Sequence, residues 1–126
     1  MTGKNKLLLV EDEKELIGIV ESYFRDEGYE VQVASNGVEA MSILAHFVPN
    51  IIISDVRMSP MDGFEMVEAI RKQEHLRNIP VIFLTIMDDK SSFERARELH
   101  VVEYMTKPFD VEELHAKVVE ILAKGN

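Results

Sequence analysis

At 126 residues, 46% apolar and 29% charged, the chain can bury the core of one domain spanning residues 1–126, and without cysteine it has no disulfide and no thiolate metal site. A net charge of −9 works against binding the phosphates of nucleic acid and suits cations or basic protein surfaces. No apolar run approaches the length of a membrane span, and residues 1–6 lead into a run too short for a signal peptide, so the cytoplasm is expected.

In chain order, residues 6–10 read as a buried strand that ends on Glu11, Asp12 and Glu13. A helix follows, with a stripe of Leu16, Ile17, Val20, Tyr23 and Phe24, and Gly28 closes it at the C′ position. Residues 29–33 alternate apolar and polar, as an edge strand does. Asn36, with Glu39 three residues on, has the spacing of an N-cap and its return contact, opening a helix that Pro49 and Asn50 stop. Ile51, Ile52 and Ile53 then form a β-branched run that reads as a strand buried on both faces, and it stops at Asp55. Beyond the turn pair Asp62–Gly63 a third helix carries Phe64, Val67 and Ile70. Residues 79–85 are another buried strand, ending on Thr85. The helix expected over 88–99 is mostly polar, with only Phe93, Ala96 and Leu99 on its inner stripe. A mixed strand over 101–105 runs into Lys107–Pro108, and Asp110 caps a last helix with Val111, Leu114, Val118, Ile121 and Leu122 inward. His46, His75, His100 and His115 share no ligand spacing and are expected on the surface; the methionines are expected mainly as core filler.

Strand and helix alternate five times, which implies an α/β fold with a parallel sheet. All-apolar strands one, three and four belong in the centre and mixed strands two and five at the edges, favouring the order 2-1-3-4-5 with its switch point between strands one and three. The carboxyl edge then collects Glu11 and Asp12, Asp55, Thr85 and Lys107. Three neighbouring carboxylates call for a compensating charge, and a hard divalent cation with phosphate as co-ligand supplies it. Lys107 and Thr85 could each hold a phosphoryl oxygen, and Asp55, on the central strand, is the best placed nucleophile. Taken singly these residues have plainer readings, Asp12 as a helix cap among them; taken together, chance explains them poorly.

The acidic pair Glu11–Asp12, Asp55, Met58, Asp62–Gly63, Thr85 and Lys107–Pro108 together resemble a response-regulator receiver domain, the phosphoacceptor module of two-component signalling, over essentially the whole length. The resemblance implies a flavodoxin-like (βα)5 three-layer sandwich and phosphorylation of Asp55 by a phosphohistidine on a sensor histidine kinase or phosphotransfer protein. It implies Mg²⁺ (or Mn²⁺) held by Asp12, Asp55 and the backbone carbonyl of Arg57, with Glu11 acting through water, and a cis Lys107–Pro108 bond. It implies a switch in which Thr85 moves to the phosphoryl group and Tyr104 turns inward, reshaping the face made by the fourth helix, fifth strand and fifth helix. Catalysis is limited to the domain's own phosphorylation and dephosphorylation; a phosphorylation-dependent dimer is open.

Three positions depart from the family pattern. Ser59 stands where a proline is usual, with Pro60 after it; Ile86 occupies a usually small position beside the phosphoryl site; His100–Val101 replaces a turn that often contains glycine. Ile86 is expected to restrict attacking water and small donors, and the helix before His100 to end differently. A haloacid-dehalogenase-type phosphatase would need an aspartate at Arg57, and a flavin carrier a Gly/Ser/Thr-rich loop where Glu11–Asp12–Glu13 stand. A module acting as a phosphorylation-independent binding surface is the alternative, against which Asp55, Thr85 and Lys107 argue. Only residues 124–126 follow the last helix, so output is expected from a protein partner or from an output domain outside this sequence.

Overall fold

The computed structural model describes residues 5–124; the expectations for the first four and the last two residues lie outside them. Five strands, β1 (Lys6–Val10), β2 (Glu30–Ala34), β3 (Ile51–Ser54), β4 (Val81–Thr85) and β5 (Glu103–Thr106), alternate with helices α1 (Lys14–Asp26), α2 (Gly37–Leu44), α3 (Gly63–Arg71), α4 (Lys90–Glu98) and α5 (Val111–Lys124). The strands are all parallel in the order β2-β1-β3-β4-β5, the flavodoxin-like arrangement expected from the burial contrast among them.

Successive side chains of a strand point to opposite faces, so the central strands feed two cores. Leu8, Val10, Ile52, Val81 and Phe83 pack against α2, α3 and Ala96 of α4. Leu7, Leu9, Ile51, Ile53, Ile82 and Leu84 pack against Val20 and Phe24 of α1 and Leu114 and Val118 of α5. The sheet is therefore the middle of three layers.

Capping sets most helix starts. Asp62 and Glu65 form a reciprocal capping box on α3. Asn36 caps α2 through the Glu39 N–H, but the return contact of Glu39 lands on Ser35 N–H, one residue earlier than the sequence suggests. Asp89 caps α4, which accordingly starts at Lys90 rather than at Asp88. Asp110 Oδ1 accepts from Glu112 N–H at the start of α5. Three further boundaries shift. α2 ends at Leu44, well before Pro49, and β4 and β5 each begin two residues late. Ile79 N–H turns back to Leu76 and Pro80 has no N–H to give, while Val102 N–H reaches Val81 O only where the pairing begins.

Gly28 (φ 94) closes α1 as expected, with its N–H on Arg25 O and Tyr29 N–H on Phe24 O, the two bonds of a Schellman motif. His100 was expected to change the end of α4, yet α4 closes with the same pair of bonds, His100 N–H to Arg97 O and Val101 N–H to Ala96 O. The histidine sits at φ 60, in the left-handed region usually left to glycine. His115 is not a surface residue either: it is half-buried among Tyr23, Phe24 and Tyr29, its Nδ1 3.3 Å from the Tyr23 hydroxyl. Of the stripe expected on α4, Ala96 is buried, Leu99 half-buried, and Phe93 remains 37% exposed.

Candidate functional site

The parallel registers bring the predicted residues to one edge. Val10 pairs with Ser54, so the chain leaves β1 and β3 side by side, with Asp55 N–H bonded to Val10 O at 2.9 Å. Thr85 pairs with Thr106 and its carbonyl takes the Lys107 N–H at 2.8 Å, which delivers Lys107 to the same edge from the far side. Oxygens of Glu11, Asp12 and Asp55 lie within 4.8 Å of one another. The Lys107 ammonium bridges two of them, 3.0 Å from Asp55 Oδ2 and 3.1 Å from Glu11 Oε1.

Each carboxylate has a distinct environment. Asp55 is 9% exposed; its Oδ1 accepts from Val56 N–H at 2.6 Å and from Arg57 N–H at 3.4 Å, leaving Oδ2 to Lys107. Gly63 makes this packing possible, because a Cβ there would lie 2.6 Å from Asp55 O and 2.9 Å from Val56 Cα. Glu11 is almost fully buried and takes Lys107 on one oxygen and Glu13 N–H on the other. Burial pushes its carboxyl above the ordinary value, more than the Lys107 hydrogen bond pulls it down, and the Asp55 charge adds to the rise. Burial would lower Lys107, but Asp55 and then Glu11 outweigh it and raise the ammonium above its usual value. Asp12 is exposed and caps nothing: the N-cap position of α1 belongs to Glu13, which makes no side-chain capping bond.

Thr85 is fully buried, and its Oγ1 accepts from Met87 N–H at 3.1 Å. The half-buried Tyr104 donates its hydroxyl to Met87 O at 2.7 Å and lays its ring 4.1 Å from that of Phe93 on α4. The backbone of Met87 therefore joins the two residues expected to switch, a link that side-chain patterns do not reveal. An open groove of about 820 Å³ runs between the loops after β3 and β4, past Asp12, Arg57 and Met87. A second, mostly apolar groove of about 530 Å³ lies between Leu16 and Ile19 of α1 and Pro108 and Phe109. Ile86, 62% exposed, lines both and forms the ridge between them. The Lys107–Pro108 bond is cis, as expected, and Ser59–Pro60 is cis as well.

This edge, with three clustered acids, a bridging lysine and a buried hydroxyl, matches one family. Residues 7–119 fit the family model of the response regulator receiver domain. The chain belongs to that family. This receiver domain is 35% identical over 120 residues to "Probable transcriptional regulator ycf29" of Porphyra purpurea, covering 95% of this chain and 57% of that one. It is 33% identical over 119 residues to the response regulator Rre1 of Synechocystis, covering 94% and 52%. The receiver domain spans about half the length of the curated relatives it matches. The solved chemotaxis response regulator CheY4 of Vibrio cholerae superposes with a TM-score of 0.85 at 31% identity, over 94% of this chain and 98% of that one. The receiver domain is thus a signalling domain of a two-component system, and its three acids form a cluster able to bind a metal.

Proposed function

We propose that residues 1–126 act as one receiver unit in the cytoplasm, taking a phosphoryl group on Asp55 from a sensor histidine kinase or phosphotransfer protein. The observation that carries this reading is the contact of Lys107 Nζ with Asp55 Oδ2 inside a cluster of three acids. The donor set is all oxygen, which suits Mg²⁺ or Mn²⁺; Asp12, Asp55 and the Arg57 carbonyl would hold the ion, with Glu11 acting through water. When bound, the ion neutralises acidic charge and binds phosphoryl oxygens.

Lys107 and the Val56 N–H orient the Asp55 carboxylate for in-line attack. Oδ2, released as Lys107 turns to the incoming group, forms a bond to phosphorus as the phosphorus–nitrogen bond to the donor imidazole breaks, and the departing imidazole keeps the electron pair and takes up a proton. Lys107 thus moves its charge from the carboxylate to a phosphoryl oxygen, held nearby by Glu11. The Thr85 hydroxyl turns to another phosphoryl oxygen, which breaks its bond to Met87 N–H and shifts the Met87 carbonyl that holds Tyr104. The change passes to the α4–β5–α5 face. The ridge at Ile86 narrows the approach for water and small donors, so Ile86→Ala should speed both dephosphorylation and labelling by acetyl phosphate. Output then comes from a protein partner or from an output domain, as suits a chain that covers half the length of its relatives.

The test is intact-mass measurement after incubation with Mg²⁺ and a small acyl phosphate. The wild-type chain gains one phosphoryl group and Asp55→Asn gains none; equal labelling of the variant overturns the assignment.

A further inference from the structure

Arg71, the last residue of α3, does something the family site does not require. Its Nε donates to Leu99 O at 3.0 Å and its Nη2 to His100 O at 3.1 Å, both at the C-terminal end of α4. Its Nη1 donates to Arg77 O at 3.0 Å and Ile79 O at 2.8 Å, in the loop that enters β4. Among the described residues no carboxylate pairs with it, so four carbonyls serve where a counter-ion would stand. A cation at the C-terminus of a helix is well placed against the helix dipole, and the unpaired carbonyls there need donors. These are also the two carbonyls that flank the left-handed His100, where α4 closes without the glycine that α1 uses. The rest of α4 offers little hold. Only Ser92 and Ala96 are buried, and Arg95 reaches α3 through the Phe64 ring, 4.4 Å away.

We infer that Arg71 is a positioning residue that pins the C-terminal end of α4 and its turn into β5 to the end of α3, making that end the fixed pivot of the signalling helix. The opposite end is tied to the rest of the fold through Met87, by the Thr85 and Tyr104 hydroxyls; the Asp89 bonds to Ser91 and Ser92 stay within the helix start. A shift begun at Met87 then tilts α4 about Arg71 instead of detaching the helix. The tilting half of this inference rests on the Thr85–Tyr104 switch proposed above; the pinning half does not.

Hydrogen exchange on the whole chain, before and after phosphorylation with Mg²⁺ and an acyl phosphate, tests both halves. In unphosphorylated Arg71→Met the amides of Leu99, His100 and Val101 should exchange about tenfold faster while those of β1 and β3 keep their rates. Arg71→Lys, a single-point donor that keeps the charge and the fold, should show the same local pattern more weakly. Adding His100→Gly to Arg71→Met, which removes the backbone penalty at that position, should return part of the protection. Unchanged exchange at residues 99–101, a uniform acceleration across the core, or no recovery with glycine would overturn the pinning role. On phosphorylation, faster exchange in the wild type should stay near residues 87–93, and in Arg71→Met it should spread to residue 101; an identical pattern in both would overturn the pivot. If the wild type takes up no phosphoryl group, the function reading fails while the unphosphorylated comparison still decides the role of Arg71.

Discussion

The α1–α5 face and helix α4 of this receiver domain are held by different physics. On one face α1 and α5 close over Phe24, fully buried, whose ring meets Tyr23, Tyr29 and His115 edge-on at centroid distances of 5.1–5.7 Å. On the other, α4 buries almost no apolar surface and is held by directed bonds: Arg71 at one end, the Asp89 cap and the Tyr104 hydroxyl at the other, and Arg95 over Phe64 between them. Apolar burial is non-directional and strong in sum, so it keeps a helix in one place. A few polar bonds can be exchanged for others of similar strength, which is what the switch proposed above requires of α4.

The largest effect should come from the apolar side. Phe24→Ala should cost about 3–5 kcal/mol in urea unfolding, whereas Phe93→Ala, on exposed α4, should cost less than about 1 kcal/mol. Similar losses at both sites would erase the distinction. The two Schellman ends sharpen it. Gly28→Ala forces a side chain into φ 94 and should destabilise by about 1–2 kcal/mol, while His100→Gly relieves φ 60 and should stabilise by less than about 1 kcal/mol, both read from thermal unfolding.

A smaller, pH-dependent effect belongs to the start of α4. Hydrogen bonds from the Ser91 and Ser92 hydroxyls, with the Ser92 N–H, hold the Asp89 carboxyl below its ordinary value of 3.8. A depressed acid contributes stability that is present above the unfolded value and lost as the pH falls through the folded one. Below about pH 3.8 the Ser92 amide should therefore lose exchange protection before amides of α1 do, and Asp89→Asn, which can still cap, should remove that dependence.

How much of this was legible beforehand follows the same divide. The all-apolar runs at 7–10, 51–53 and 81–84 announced central strands, and the carboxyl-edge rule collected Glu11, Asp12, Asp55, Thr85 and Lys107 from the ends of four strands. Local patterns carried those inferences. Arg71 was missed because an arginine at the end of a charged helix looks solvated, and nothing local shows that residues 99 and 100 return to meet it. Met87 was missed because it acts through its backbone. His115 was misplaced because the aromatic partners that bury it lie some 90 positions away, on α1 and in the turn after it.

The most direct test of the account is a map of backbone amide shifts with and without the phosphoryl group on Asp55. Changes beyond the immediate site should concentrate between Thr85 and Tyr104, leaving Tyr23, Phe24, Tyr29 and His115 in place. Shifts of equal size in that aromatic cluster would contradict it.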